Sequence, residues 1–329
     1  MEPQPSERGV ALLVVLLLVG VMAALAVAVL DDIRFAIRRN GNVETQSQAQ
    51  WYALGAESLA KSRLQSVLAR RAGFVTLEGG WNGFPVVYPI DNGAIQMRLI
   101  DRGACFNLNS VVSLEAERYI RNITGASQFQ QLLGVLGVPD TDAAKLTDAL
   151  VDWIDSDAAP QPFGAEDDAY RRLSPPYRTS GELLAEETEL RTIQGFTPEI
   201  YRRIRPFVCA LPIPQLTEVN INTLTAADAP VLSALYFGRL PAETVRQILA
   251  RRPAGGWPSQ SEFLKEPLLE TAARESVAPP VQQLAVRTRF FALDGRVEFA
   301  GADMPYSALL EANPSGQLLT RARRWTPVE

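Results

Sequence analysis

The chain has 329 residues, a formal net charge of -5 and 47% hydrophobic side chains, which is typical of one large or two modest folded domains. The acidic balance argues against a nucleic-acid binder that relies on neutralising phosphates. The sequence contains no histidine, which excludes Ser-His-Asp and Cys-His nucleophile systems, histidine acid–base catalysis and histidine-containing metal sites. An ordinary hydrolase or oxidoreductase is therefore disfavoured.

An apolar segment near the N-terminus is the first long feature. Val10–Leu30 contains 21 residues without a charge, and about 20 apolar residues are needed to cross the hydrocarbon core of a membrane. A secretory signal peptide has a shorter apolar core and a small-residue cleavage site after it, which is absent near Leu30. The polar leader of residues 1–9 instead looks like a class III, prepilin-type signal, cleaved between Gly9 and Val10. A plain single-pass anchor is the alternative.

The charges around this segment favour the opposite orientation from a pilin. Arg34, Arg38 and Arg39 follow the span, whereas Arg8 is the only basic residue before it. By the positive-inside rule, the part of the chain after the span would lie in the cytoplasm. The charge pattern alone leaves this conflict open.

Residues 31–103 are expected to continue the helix and then to form the first strands of a sheet. Apolar residues recur at three- and four-residue steps as far as Leu68, which predicts an amphipathic helix with a weak point at Asn40-Gly41-Asn42. Two extended runs then flank the turn Asp91-Asn92-Gly93, which predicts a hairpin.

Strand signals return only in residues 286–329, where one turn is predicted at Asp294-Gly295. Helix starts and Pro/Gly breaks fill the sequence between the two groups of strands. The economical arrangement is α+β: a long N-terminal helix packs on a small antiparallel sheet, which is interrupted by an inserted α-domain of roughly residues 104–285.

The inserted region contains a short motif that occurs twice. Phe106–Ser110 and Val219–Thr223 both alternate apolar residues with asparagine, end in Ser or Thr and lead into helices, and the asparagines are expected to bond nearby backbone. Such modules resemble SAM-like or helix-hairpin-helix domains, which would make a membrane-tethered DNA-binding protein the alternative function. However, residues 104–285 carry 16 Lys and Arg against 23 Asp and Glu, a net charge of -7, and phosphate binding requires the opposite sign.

An acidic segment, Val151–Tyr170, contains six carboxylates and no basic residue. Unpaired carboxylates at this density repel one another unless they are solvated or share a cation, and Ca2+ prefers hard oxygen ligands. The Pro- and Gly-rich turn within the segment could bring its two ends together around an ion. A solvated acidic loop and a carboxylate-pair hydrolase are the alternatives. The carboxylates are Asp152, Asp155, Asp157, Glu166, Asp167 and Asp168.

As a set, these features resemble the type II secretion system minor pseudopilin K family (general secretion pathway protein K). Any one of the matching segments alone would be weak, but they occur in the family's order across nearly the whole chain. They are Arg8-Gly9, Gln50–Glu57, Phe106–Asn109, Asp152–Asp157, Gly164–Asp167, Gly195–Glu199 and Val219–Thr223.

The resemblance implies a non-enzymatic minor pseudopilin that is processed by prepilin peptidase and anchored in the inner membrane, with its C-terminal domain in the periplasm. It would lie at the tip of the pseudopilus with two other minor pseudopilins, above the major pseudopilin. Contact with the secreted substrate is a further expectation. It also implies a structural Ca2+ in the acidic segment. The ligands carried over are Asp155, Asp157, Glu166 and Asp167.

One position in the apolar segment also gains meaning from the resemblance. Most pilins have a glutamate at the fifth mature residue, which helps a subunit to dock beneath the one above it; here that position is Val14, which suits a subunit with nothing above it. Cys105 and Cys209 could form a disulfide in an oxidising periplasm. Two buried free thiols are the alternative.

Overall fold

The computed structural model describes residues 5–70, 73–274, 278–313 and 315–326. A long helix and two strands precede a region of short helices and strands, and three longer strands follow that region. In chain order the elements are α1 (Pro5–Arg70), β1 (Pro85–Ile90), β2 (Gly93–Asp101), β3 (Phe106–Asn107), β4 (Val112–Glu115), β5 (Arg118–Arg121), α2 (Ile123–Val135), α3 (Asp140–Ile154), α4 (Asp167–Tyr170), α5 (Pro198–Ile204), β6 (Val208–Cys209), β7 (Val219–Asn220), α6 (Ala229–Leu235), α7 (Ala242–Ala250), α8 (Gln260–Leu264), α9 (Pro267–Arg274), β8 (Leu284–Ala285), β9 (Phe290–Phe299), β10 (Ala302–Ala312) and β11 (Leu318–Arg324).

The main antiparallel sheet has the strand order β1-β2-β9-β10-β11 among the described residues. Strands β2 and β9 pair directly, with Asp101 opposite Phe291, so the strands before and after the inserted region lie side by side. The tight turn between β9 and β10 uses Ala300 and Gly301, both with positive φ, which matches the twist of a two-residue hairpin. This architecture confirms the predicted α+β class, in which an insertion separates the strands of one sheet.

The turn predicted at Asp294-Gly295 is wrong. Both residues lie inside β9, where Gly295 is opposite Tyr306 of β10. A Cβ on Gly295 would lie 2.2 Å from a ring carbon of Tyr306, so this glycine marks a close approach of an aromatic ring rather than a reversal of the chain. The strands predicted in this region were Val286–Leu293, Val297–Ala300 and Leu318–Trp325, so the pattern missed β10, which follows the true turn.

Helix α1 runs without interruption through Asn40-Gly41-Asn42, where the sequence predicted a weak point, and the Thr45 hydroxyl donates to the Gly41 carbonyl across this step. Its first part, as far as Gln48, makes little contact with the rest of the chain, and Val10–Leu30 is exposed. The helix is long and apolar enough to cross a membrane. The predicted apolar stripe therefore packs only in its second half.

The second half of α1 packs closely on the sheet because its inward face is built from small residues. This face contacts large apolar side chains of β9 and β10, including Phe291, Leu293 and Tyr306. Small side chains let the helix axis approach the sheet, so that the bulky residues of the strands fill the space between them. The buried residues of the helix face are Ala49, Ala53, Ala56, Ala60, Leu64 and Val67.

One buried carboxylate connects α1 to the edge strand β11. The Glu57 side chain is 6% exposed and accepts two hydrogen bonds from Arg323, at 2.8 and 3.1 Å. Lys61 lies 2.9 Å away, and the Thr320 hydroxyl also donates to Glu57. Burial by itself raises the pKa of Glu57, but the hydrogen bonds from Arg323, Thr320 and Lys61 outweigh it and lower the pKa to about 2.

A buried network of hydrogen bonds joins the two connections between the sheet and the inserted region, one just after β2 and one just before β9. Asp101, at the end of β2, accepts hydrogen bonds from the Gly103 amide at 2.6 Å and the Thr288 hydroxyl at 2.9 Å. The Asn220 side-chain amide donates to Thr288 and to the Val75 carbonyl. Burial raises the pKa of Asp101 to about 6, against the hydrogen bonds that it accepts. The chain therefore enters and leaves the insert through one connected set of hydrogen bonds.

The two asparagine motifs that repeat in the sequence, Phe106–Ser110 and Val219–Thr223, also have equivalent hydrogen bonds in the structure. Asn107 accepts from the Asn109 amide, and Asn220 accepts from the Asn222 amide at the equivalent position. Asn109 donates to the Leu184 and Leu211 carbonyls. These bonds confirm that the asparagines fix nearby backbone, as expected from the sequence.

The second copy reaches equally far along the chain. The Asn222 side chain bonds both the amide and the carbonyl of Trp257, at 2.7 and 2.9 Å. Each copy also begins with a short parallel strand pair, β3 with β6 and β7 with β8. These pairs, together with the hairpin of β4 and β5, are strands that the expected all-α insert did not include.

Replacing Glu57 by glutamine should destabilise the protein by about 2 kcal/mol at pH 7. Breaking a fully buried ion pair costs about 3–5 kcal/mol, and the partial exposure of Arg323 reduces this figure. Because the folded pKa lies below the unfolded one, the contribution is present above about pH 4.5 and is lost as the pH falls towards 2. Denaturant unfolding of wild type and Glu57→Gln at several pH values should show the difference shrinking in acid. Glu44→Gln, an exposed change on the same helix, is the control; an equal loss there would contradict the assignment.

Candidate metal centre

The acidic segment lies where helix α3 ends. Asp155 is the residue at its C-terminal cap, and the Asp155 amide still bonds to the Val151 carbonyl. The C-terminal end of a helix carries a partial negative charge, so carboxylates are unfavourable there unless a cation compensates them. Trp153 and Ile154 face the hydrophobic core, as expected, which aims the following residues away from it.

Three carboxylates meet at this point. Asp155, Asp157 and Glu166 each offer a carboxylate oxygen, and these atoms all lie within 4.8 Å of one another. Asp155 is 3% and Glu166 is 8% exposed, whereas Asp157 faces solvent. The turn between residues 157 and 166 thus brings the two ends of the segment together, and the cluster can bind a metal ion.

Two buried oxygen atoms in the cluster have no hydrogen-bond partner. They are Oδ1 of Asp155 and Oε1 of Glu166. A buried carboxylate oxygen without a partner is costly, because water no longer solvates it. Both atoms belong to the cluster, so a cation between them would satisfy two groups that the protein leaves unsatisfied.

The electrostatics of the cluster lead to the same conclusion. Burial, and then the charges of Asp157, Asp152 and Glu166, raise the pKa of Asp155 to about 7. Burial, and then neighbouring carboxylates led by Asp152, raise the pKa of Glu166 to about 7. In both groups burial is the larger cause and repulsion between the carboxylates adds to it, and a bound cation would act against both effects.

Asp152 and Asp148, on α3, accept hydrogen bonds from the turn between residues 157 and 166. Asp152 accepts from the Gln161 amide at 3.0 Å, and a Cβ on Gly164 would lie 1.9 Å from an Asp152 oxygen. Asp148, one turn earlier, accepts from the Phe163 amide and pairs with Arg121 at 2.7 Å. These two buried carboxylates hold the turn that presents Glu166.

The sequence analysis did not identify Asp148 or Arg121 as part of this region. The signal available was the spacing of Asp148, Asp152 and Asp155, which places two acidic residues on one face of α3 and a third at its C-terminal cap. Nothing local indicated Arg121, because it reaches the turn from the short strand β5.

Asp167 lies next to the cluster but has other partners. Its carboxylate accepts from the Thr179 amide and hydroxyl at 3.0 and 3.1 Å, and it pairs with Arg171 at 2.7 Å. These bonds from Thr179, together with the charges of Arg171 and Arg178, lower the pKa of Asp167, although burial acts against them. The structure thus gathers three of the four ligand candidates and connects the fourth to the following loop.

The remaining positions singled out in the sequence do not belong to this cluster. Cys105 and Cys209 form a disulfide, with Cα atoms 5.8 Å apart, and pack against Leu211 and Phe290. Closing a loop of 104 residues stabilises a fold by about 4–5 kcal/mol in the chain-entropy account.

The positions singled out at the N-terminus are on α1. Gly9 and Val10 lie in the first turns of this helix, and Val14 is an exposed residue of its apolar segment. The first part of the predicted leader, residues 1–4, lies outside the described residues.

A helix long enough to cross a membrane that continues onto an antiparallel sheet, with a helical insertion carrying an acidic centre, defines a pilin-like class of protein. Comparison with known families identifies one family. Two family profiles, both described as type II secretion system (T2SS), protein K, match residues 104–213 and 219–287. The chain belongs to the type II secretion system protein K family.

Full-length relatives support this assignment. A type II secretion system protein K of Pectobacterium carotovorum is 34% identical over 97% of this chain and 96% of its own length. The protein K of Klebsiella pneumoniae is 34% identical over 93% of this chain and 92% of its own. The structure of the GspK-GspI-GspJ complex from enterotoxigenic Escherichia coli is similar with a TM-score of 0.74 and 28% identity, covering 88% of this chain and 100% of the matched chain.

The family assignment identifies the chain as a pseudopilin-type component of the secretion machinery rather than an enzyme. The hydrolase and DNA-binding alternatives raised by the acidic segment and by the helix-hairpin-helix resemblance are therefore not its function. The acidic centre is accordingly interpreted as a structural site.

Neutralising the cluster should stabilise the metal-free protein and remove its response to metal. Asp155→Asn with Glu166→Gln relieves the repulsion between buried carboxylates, so the variant should melt above wild type in excess EGTA. With a divalent cation at 100 times its dissociation constant, wild type should gain about 2.7 kcal/mol and the variant nothing. Thermal melts of the full-length protein in detergent measure both effects. Asp168→Asn, outside the cluster, should behave as wild type; a response to the cation retained by the double variant would contradict a metal site at these carboxylates.

Proposed function

We propose that the chain is the minor pseudopilin at the tip of the type II secretion pseudopilus, where it initiates and caps assembly for the export of folded proteins across the outer membrane. The observation that carries this proposal is the similarity, over 88% of the chain, to GspK in a complex with GspI and GspJ. The inserted region, proposed to span residues 104–285, adds bulk to the pilin-like sheet between β2 and β9. A subunit of this size fits the end of a filament better than its repeating body.

The partners proposed are two other minor pseudopilins, equivalent to GspI and GspJ, with the major pseudopilin below them. The outward face of α1 offers a surface for a neighbouring helix. Trp51 on this face is 67% exposed, although it lies in the half of the helix that packs on the sheet, and Leu59 is also exposed. Large apolar side chains in such a position suit a protein interface. Direct contact with the secreted substrate is a further part of the proposal.

The membrane topology follows from the same proposal. Val10–Leu30 would span the inner membrane, prepilin peptidase would cleave between Gly9 and Val10, and the remainder would lie in the periplasm. The exposed, wholly apolar surface of α1 over this range supports the anchor. The arginines that follow the span would then lie on the periplasmic side.

Val14 is proposed as the reason that nothing is added above this subunit. An ionised carboxylate within the hydrocarbon core costs several kcal/mol unless it finds a partner. A subunit inside the filament can pair its fifth residue with the amino terminus of the subunit above. A tip subunit has no such partner, so an apolar side chain at this position avoids the cost.

Ca2+ is proposed as the ion of the acidic centre. The three gathered ligands are carboxylates, which Ca2+ prefers, and the chain has no histidine and no free cysteine among its described residues to favour zinc. The unpartnered oxygens of Asp155 and Glu166 support a cation there. When bound, the ion would neutralise the cluster and fix the turn; Asp167 would contribute through its neighbouring loop.

The direct test is assembly with the partners. Full-length chain with an affinity tag, co-expressed with the two minor pseudopilins of its own secretion system, should purify as a complex that contains one copy of each. Light scattering on the eluted complex measures the stoichiometry. Purification of the chain alone, or with the major pseudopilin only, would contradict the tip assignment.

A second prediction concerns the fifth mature residue. In cells that lack the chromosomal copy, Val14→Glu should reduce secretion about ten-fold or more, since an unpaired carboxylate would be left in the membrane. Val14→Leu, which keeps the apolar character, should secrete as wild type. Exoprotein activity in the medium is the measurement, normalised to the amount of chain in membranes. Full secretion by Val14→Glu would show that this position does not distinguish a tip subunit.

A further inference from the structure

Just beyond the apolar segment, α1 carries three arginines within two turns. Arg34 lies 3.7 Å from Asp31. Arg38 and Arg39 are exposed and form no ion pair with any residue in the described part of the chain. The next basic residue along the helix is Lys61. This leaves two adjacent guanidinium groups that contribute nothing to the fold.

Their distance from the membrane follows from the continuity of the helix. At about 1.5 Å per residue, Arg38 lies about 12 Å beyond Leu30 along the axis. The headgroup layer extends about 5–7 Å beyond the hydrocarbon core. Side chains on a helix tilt towards its N-terminus, here towards the membrane, and long arginine side chains reach back to the interface. Both guanidinium groups therefore come within reach of the lipid phosphates.

We propose that Arg38 and Arg39 bind the headgroups of anionic phospholipids in the leaflet that faces the soluble part of the chain. A guanidinium group donates two parallel hydrogen bonds to a phosphate and keeps its charge at any physiological pH. Asp31 and Asp32 lie closer to the hydrocarbon, but Asp31 already has Arg34 as its partner. The negative charge of Asp32 repels the anionic lipid, so we expect the protein to prefer anionic over neutral lipid only modestly.

The site gives a role to charges that otherwise conflict with the orientation of the chain. Arginines on the far side of a span oppose the positive-inside rule, and headgroup binding offsets that cost once the helix is inserted. Lipid bound at this level would also fix how deeply the helix lies before the subunit joins a filament. The inference rests on the proposed membrane anchor, and neither on the acidic centre nor on the tip complex.

Spin-labelled lipids test the site directly. Full-length protein is reconstituted in phosphatidylcholine vesicles that contain a trace of labelled phosphatidylglycerol or phosphatidylcholine, and the motionally restricted fraction of each label is compared. Wild type should prefer phosphatidylglycerol about three-fold, and Arg38→Gln with Arg39→Gln should show almost no preference. High salt should weaken the wild-type preference.

Arg118→Gln with Arg251→Gln is the matched control, because it removes two exposed arginines of the inserted region. This control should keep the full preference. A preference retained by Arg38→Gln with Arg39→Gln, or lost equally by the control, would overturn the lipid site. Carbonate extraction of the same vesicles distinguishes failure of the anchor from failure of the lipid site. Release of wild type from the vesicles would overturn both. If wild type is retained but Arg38→Gln with Arg39→Gln keeps the lipid preference, only the lipid site is overturned.

Discussion

The position of the inserted region depends on the buried hydrogen bonds between Asp101, Gly103, Thr288 and Asn220. These groups lie where the chain leaves β2 and returns to β9. A buried polar group is stabilising only when its partners are in place, so the network favours one arrangement of the two crossings over others. Asn220 also belongs to one of the two asparagine motifs, which connects the crossing to the interior of the insert. The disulfide between Cys105 and Cys209 lies immediately beyond the same crossing.

In contrast to this network, the acidic centre has buried polar atoms without partners. Its carboxylates are brought together at the unfavourable end of a helix, and two of their oxygens have no partner. Such an arrangement costs free energy, which a bound divalent cation would recover. Because the cluster lies within the loop closed by the disulfide, an ion bound there would constrain the same part of the chain as the covalent bond. Both constraints suit a protein that works outside the cytoplasm, where calcium is available and thiols are oxidised.

Local signals predicted the parts of the molecule that local interactions determine. The apolar segment, the α+β class and the asparagine motifs could be predicted because each is specified by residues close in sequence. Asp155, Asp157 and Glu166 could be proposed as ligands because a short turn joins them. The partners of Asp167 could not be predicted, since Thr179 approaches from a loop twelve residues on. Gly295 misled the prediction for a related reason: its role depends on Tyr306, in a strand that the pattern did not reveal.

Direct pairing of β2 with β9 determines how mechanical load crosses the molecule. A pull between the anchored helix and the C-terminal strands passes through α1, Glu57 and the backbone hydrogen bonds of the sheet. The inserted region leaves and rejoins this path at neighbouring points, so it lies beside the path of the force rather than within it. Its acidic centre can therefore keep one geometry while α1 and the sheet carry the load.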